Sequence, residues 1–179
     1  MSLATLPGKE DRIKNIDTLQ HKASAQNQQT LKGDVTLSGV GLHTGREVTM
    51  TMKPANPGFG IRFQRIDLPE KPVVKADADY VVDTSRGTTI DHNGARVSTI
   101  EHTLAALVGM SVDNVLIQLD GPEVPIMDGS AREFIEAIDS VGLQEQDAKR
   151  IVYAIDQNIH YYDPVKNVEC WLCPQAITR

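Results

Sequence analysis

The chain has 179 residues, a net charge of −6, 40% apolar residues and 4% aromatic ones. This length suits one ordinary domain, with or without appendages, built on a core of Val, Ile, Leu and Ala. The acidic balance argues against a nucleic-acid partner. No apolar run approaches the ~20 residues of a membrane span, and the N-terminus lacks a hydrophobic signal core, so the expected setting is cytoplasmic, without stable membrane insertion.

Residues 1–29 are polar, rich in Gln, Lys, Asn and Asp, and read as a flexible tail with a short helix near Ile13–Leu19. From Thr30 the pattern turns strand-like. Val35 and Leu37 alternate with polar neighbours, as do Val48, Met50 and Met52, and then Ile61 and Phe63. Pro54-Ala55-Asn56-Pro57-Gly58 is a turn, and Asp91-His92-Asn93-Gly94 predicts a hairpin turn whose Asn-Gly pair takes positive φ. Ser98 as N-cap, with Glu101 three residues on, opens a helix that ends near Gly109 and presents Ile100, Leu104, Leu107 and Val108 on one face.

Val115, Ile117 and Leu119 make another alternating strand. A second helix opens at Ser130 and Glu133 in capping-box spacing, carries Phe134, Ile135, Ile138 and Val141, and stops at Gly142. Ile151–Ile155 and Ile159–Tyr162 are further strands. The order predicts an α+β fold, a two-layer sandwich of a mixed or antiparallel sheet with two helices.

Glu101 and His102 stand side by side in the first turn of the first helix. On a helical wheel the apolar residues cluster within about 80° of Ile100, with His102 roughly opposite, flanked by Ala105 and Ala106. A helix N-terminus favours neutral imidazole, which binds metal, and ionised carboxylate, which accepts a proton. Two readings of each residue stay open on the dipeptide alone. Glu101 is either a proton acceptor or the closing member of a capping box with Ser98, and His102 is either a metal ligand or an ordinary exposed histidine.

Three segments extend this pattern: Gly39-Val40-Gly41-Leu42-His43-Thr44-Gly45, Val97 to Leu107, and Gly121-Pro122-Glu123-Val124-Pro125-Ile126-Met127-Asp128-Gly129-Ser130-Ala131. With Thr30-Leu31-Lys32, Asp83-Thr84 and Asp113-Asn114 between them, the chain over residues 30–169 resembles UDP-3-O-acyl-N-acetylglucosamine deacetylases, zinc enzymes of lipid A synthesis. The run Asp83-Thr84-Ser85-Arg86-Gly87-Thr88-Thr89 looks most like the Bacteroidetes type, often fused to a 3-hydroxyacyl-carrier-protein dehydratase.

The resemblance implies a Zn2+ cofactor, UDP-3-O-acyl-N-acetylglucosamine as substrate, and two similar α+β domains with the site between them. It makes His102 one zinc ligand and Glu101 the general base acting on the zinc-bound water. The family takes its other ligands and a general acid from the second domain, and none can be placed on this sequence. His160 and Asp163, three apart in a strand, face opposite sides and are not assigned as ligands. His43, Arg86 and Thr88 are candidate substrate-binding residues, with a structural glycine turn for His43 and a solvated loop for the other two as alternatives. Asp128 and Ser130 are expected to order their turn and cap the second helix.

The reading therefore divides the chain into a tail (1–29), the deacetylase N-terminal domain (30–150), the start of a second domain (151–169) and an aberrant segment (170–179) that holds Trp171, Cys170 and Cys173. These two cysteines supply no disulfide framework, and one Cys-x-x-Cys without a partner pair is a weak metal signal. Codons compatible with this segment encode an apolar strand and turn in a neighbouring frame, which points to a frameshift. As it stands the chain is expected to be an inactive half of a zinc amidohydrolase lacking its second domain. The competing readings are a non-enzymatic nucleotide-sugar-binding or interaction module, or a relic.

Overall fold

The computed structural model describes residues 20–154 and 158–174. Among them are eleven strands and two α-helices: β1 Gln20–Leu31, β2 Val35–Val40, β3 Glu47–Pro54, β4 Ile61–Arg65, β5 Val73–Lys75, β6 Val81–Asp83, β7 Thr89–Ile90, α1 Glu101–Gly109, β8 Val115–Leu119, α2 Arg132–Val141, β9 Leu143–Ala154, β10 Ile159–Asp163 and β11 Val168–Leu172. The main sheet has the order β2-β3-β8-β4-β5. Its β8–β4 pairing is parallel and the others are antiparallel.

Strand periodicity sets the layers. Register aligns Val35, Met52, Ile117, Phe63 and Val74 in one row across all five strands, and Leu37, Met50, Leu119 and Arg65 in the next. Because successive strand residues alternate faces, the rows form one apolar face, and Thr36, Thr51, Gln118 and Gln64 line up on the other. That second face is tied by hydrogen bonds between the Thr36 and Thr51 hydroxyls (3.0 Å) and from Gln118 Nε2 to Gln64 Oε1 (2.8 Å). The apolar face shares one core with Ala106 and Leu107 of α1 and Phe134 and Ile138 of α2. The α+β two-layer arrangement is the one expected.

Several local expectations hold. Asn93 and Gly94 both take positive φ, and Ala95 N donates to His92 O across the turn that joins Ile90 to Val97. Gly142, at φ 76°, ends α2 with its N–H on Ile138 O.

Others need correction. The α1 core face is Ile100, Thr103, Ala106 and Leu107, whereas Val108 is 71% exposed. Ala106 is therefore core rather than open space beside His102, and only Ala105 is exposed there. Neither helix has a side-chain cap. Ser130 Oγ accepts from Arg132 N, and Asp128 Oδ1 accepts from both the amide and the hydroxyl of Ser130. These two residues order the turn, but the Ser130–Glu133 box is not made.

The tail reading also fails over residues 20–29, which belong to β1. Its partner is β9, far along the chain, so the hydrogen bonds that define the strand have no local signature. Within this pairing Gln28 Nε2 donates to Lys149 O. The helix expected near Ile13–Leu19 lies outside the described residues. The chain divides into two units, Gln26–Lys149 and the remainder on either side. The second contains the β10–β11 hairpin, where His160 Nε2 sits 2.7 Å from Glu169 Oε1 and the ring stacks on Trp171. Cys170 and Cys173 are exposed free thiols.

Ile117 lies at the centre of the apolar row, so Ile117→Ala is expected to lower the unfolding free energy by about 2–5 kcal/mol. Val108→Ala should change it by less than about 0.5 kcal/mol. Urea denaturation of both variants checks the corrected α1 face. The hydroxyl of Thr103 is buried without a hydrogen-bond partner among the described residues. Thr103→Val should accordingly be neutral or stabilising by about 1 kcal/mol in the same assay.

Candidate functional site

The three sequence segments meet in space. Gly121–Ala131 runs between the other two, with bridges from Gly41 to Pro125 and from Ser98 to Glu123. Backbone bonds fasten both sides: Ile126 N donates to Val40 O, Ser98 N to Pro122 O, and Val124 N to Ser98 O. Glycine is required at position 41 by proximity, since an added Cβ would fall 2.5 Å from Glu123 Oε2.

Glu123 is the residue that the sequence reading passed over. Its side chain is fully buried. His43 N donates to both carboxylate oxygens (3.0 and 3.2 Å), Thr44 N to Oε2 (2.8 Å) and the Thr99 hydroxyl to Oε1 (2.8 Å). Burial alone would raise the pKa of this carboxyl. The Thr99 hydroxyl and the His43 and Thr44 groups outweigh burial and hold it below the ordinary glutamate value. The signal available beforehand was a charged residue between two prolines in an otherwise apolar stretch, which is ambiguous without the partners.

Thr99 explains why the expected cap at Ser98 is absent. This β-branched residue is buried with φ 59°, a left-handed conformation that costs on the order of 1–3 kcal/mol. The helix therefore starts at Glu101, after Ile100. Ser98 stays in extended pairing, and its Oγ accepts from the Thr89 hydroxyl. Glu101 does not turn back on Ser98. Its Oε2 accepts from Thr88 N at 2.9 Å, and Gly87 lies so close that a Cβ there would be 3.0 Å from Oε1. With φ 150°, Gly87 holds a conformation that side-chain-bearing residues rarely adopt.

The loop around Arg86–Thr88 joins the candidates. His43 Nε2 lies 3.0 Å from Arg86 O, and because a carbonyl can only accept, the ring must carry its proton on Nε2. His43, Arg86, Thr88 and Glu101 are thus linked through one loop, with His102 next to Glu101 in the first turn of α1. A pocket of about 200 Å³ is lined by His43, Arg86 and Glu123 with Asp83, Arg96 and Ser98 among others, while Thr88, Glu101 and His102 are not among its lining residues. A larger cavity of about 390 Å³ lies against Thr30, Asn56, Phe59 and Gln146, but no titratable side chain lines it. The smaller pocket is the chemically equipped one. Among the described residues no group of three or more His, Cys, Asp or Glu side chains could hold a metal ion.

The sign of the Glu123 shift fixes a pH dependence. A depressed folded-state pKa contributes stability that is full above the unfolded value, about 4.3, and is lost as pH falls through the folded value. Glu123→Gln should therefore be clearly less stable than the native chain at pH 7. The gap should narrow progressively below pH ~4.3, as read by urea denaturation across pH.

Residues 28–176 match the family described as LpxC, UDP-3-O-acyl N-acetylglycosamine deacetylase. The chain is 49% identical over 142 residues to the UDP-3-O-acyl-N-acetylglucosamine deacetylase of Myxococcus xanthus, covering 79% of this chain and 45% of that protein. It is 48% identical over 136 residues to the bifunctional enzyme LpxC/FabZ of Bacteroides thetaiotaomicron, covering 76% of this chain and 30% of the relative. A Methylococcus capsulatus protein named as the same deacetylase is 45% identical over 136 residues. The chain thus spans less than half the length of these relatives, and over the part it shares with them it belongs to the UDP-3-O-acyl N-acetylglycosamine deacetylase family.

Proposed function

We propose that this chain is the N-terminal half of a zinc-dependent deacetylase that hydrolyses the N-acetyl group of UDP-3-O-acyl-N-acetylglucosamine, the committed step of lipid A biosynthesis, in the cytoplasm. The observation that carries this reading is the Arg86–Thr88 loop, which ties His43 on one side to Glu101 on the other. The relatives' names supply the substrate.

In this reading Glu101 is the general base. The Thr88 amide holds the carboxylate in place through Oε2, and the remaining lone pairs are free to take the proton of the water that attacks the acetamide carbonyl. His43, Arg86 and Thr88 border the bound sugar nucleotide, the Arg86 guanidinium being suited to its diphosphate. His102 supplies one imidazole for the zinc ion. A catalytic zinc needs three protein ligands, and the described residues hold no such group. They do not fit a complete zinc site, and no step is assigned through the ion. The chain by itself is accordingly inactive and requires the second deacetylase domain.

The same lack of a three-donor group favours a second reading, a module that binds nucleotide sugars without catalysis. A hybrid separates them. This chain joined to the C-terminal part of the Myxococcus xanthus relative, loaded with zinc, should deacetylate the substrate while the isolated chain does not. Glu101→Gln in the hybrid should lower kcat by about 10²–10⁴-fold. A folded hybrid that binds the substrate but never turns it over would overturn the enzymatic reading, and turnover by the isolated chain would overturn its inactivity.

A further inference from the structure

We infer that Glu123 is the positioning residue that couples the His43 turn to the start of α1, so that one buried carboxylate sets His43 and Glu101 together. Each oxygen serves a different side. Oε2 takes the Thr44 amide and shares the His43 amide, holding the glycine turn. Oε1 takes the Thr99 hydroxyl and the other share of His43.

The Thr99 bond matters because of where it acts. Thr99 has φ 59°, a conformation that a β-branched residue does not hold without compensation. It is separated from Glu101 by Ile100 alone, and Ile100 is buried in the core. If Thr99 returned to an ordinary φ, the chain entering α1 would swing and Glu101 would leave the Thr88 amide. The Thr88 side of that contact is continuous with Arg86, whose carbonyl receives the His43 ring. Glu123, Thr99, Glu101, Thr88, Arg86 and His43 therefore close a ring of contacts that returns to Glu123 through the His43 amide. Glu123 is fully buried, and the hydrogen bonds of its carboxylate go to His43, Thr44 and Thr99, so its action passes through them.

What His43 and Glu101 then do rests on the functional reading above, but the coupling can be read without substrate, metal or turnover. Backbone amide hydrogen exchange and imidazole ¹⁵N shifts of the 179-residue chain test it. In Glu123→Gln one of the two oxygens becomes an NH2 group that cannot accept and the charge is lost, so the amides of His43 and Thr44 should exchange faster, by about tenfold where a hydrogen bond is lost. The Thr88 amide, which never touches Glu123, should accelerate as well, and the His43 Nε2–H should lose its hydrogen bond to the Arg86 carbonyl. The Ile117 amide should keep its protection, which separates this effect from general loosening.

Thr99→Val and Thr99→Ser provide a second arm if Glu123→Gln does not fold. Valine should expose the Thr88 amide, and serine, which keeps the hydroxyl, should restore its protection. Unchanged Thr88 exchange in Glu123→Gln, or equal behaviour of the valine and serine variants, would overturn the coupling. A failed deacetylation assay would leave it standing.

Discussion

A buried carboxylate with three hydrogen-bond donors around it is the interaction on which the site's geometry depends. Leaving such a charge unpaired in the interior costs several kcal/mol, whereas hydrogen bonds to charged groups contribute about 1.5–3 kcal/mol each. For Glu123 the two His43–Thr44 amides and the Thr99 hydroxyl win that contest, as its lowered pKa records. The balance also accounts for two otherwise odd features. Gly41 lacks a side chain because the carboxylate occupies that space, and Thr99 stands in a left-handed conformation because its hydroxyl is held there.

The sheet makes this arrangement rigid. Five strands present one continuous apolar face, and α1 and α2 close it through Ala106, Leu107, Phe134 and Ile138. With Thr103 and Ala106 facing the core, α1 has little freedom to rotate, which fixes the bearing of Glu101 and His102 at its first turn. The site therefore sits on a helix anchored by packing, and the loops it gathers are pinned to that helix by hydrogen bonds. Such a division of labour is common, with a packed scaffold supplying precision and loops supplying chemistry.

Family membership and geometry bear on different parts of the functional question. The match to the deacetylase family covers most of the chain but less than half of the relatives' length. Within that part, the structure places His43 and the Arg86 loop around a small pocket, and the same loop binds the Glu101 carboxylate through the Thr88 amide. A single imidazole at His102 does not make a metal centre, which is why the proposed chemistry calls for a second domain.

The sequence by itself determined the alternating strands, the apolar faces of α2 and β8, the Asn93-Gly94 turn and the segments that resemble the deacetylases. The first three rest on local periodicity or on a residue's own φ preference, which a neighbour in sequence can report, and the last rests on resemblance alone. Residues 20–29 were not legible as a strand, because β1 exists through its pairing with the distant β9. The Ser98 cap followed a local rule that a tertiary contact overrode, and the Ser130 box lost to another local contact. Ser98 was claimed by its bridge to Glu123, and Ser130 by Asp128. The Val108 assignment failed because α1 is rotated so that Thr103 and Ala106 face inward, a choice made by packing against the sheet and α2. Glu123 shows the division most plainly. Its identity and position were in view from the start, but whether a carboxylate is a surface charge or a buried hub depends on which donors the fold brings to it, and its donors lie about 25 to 80 residues away in sequence.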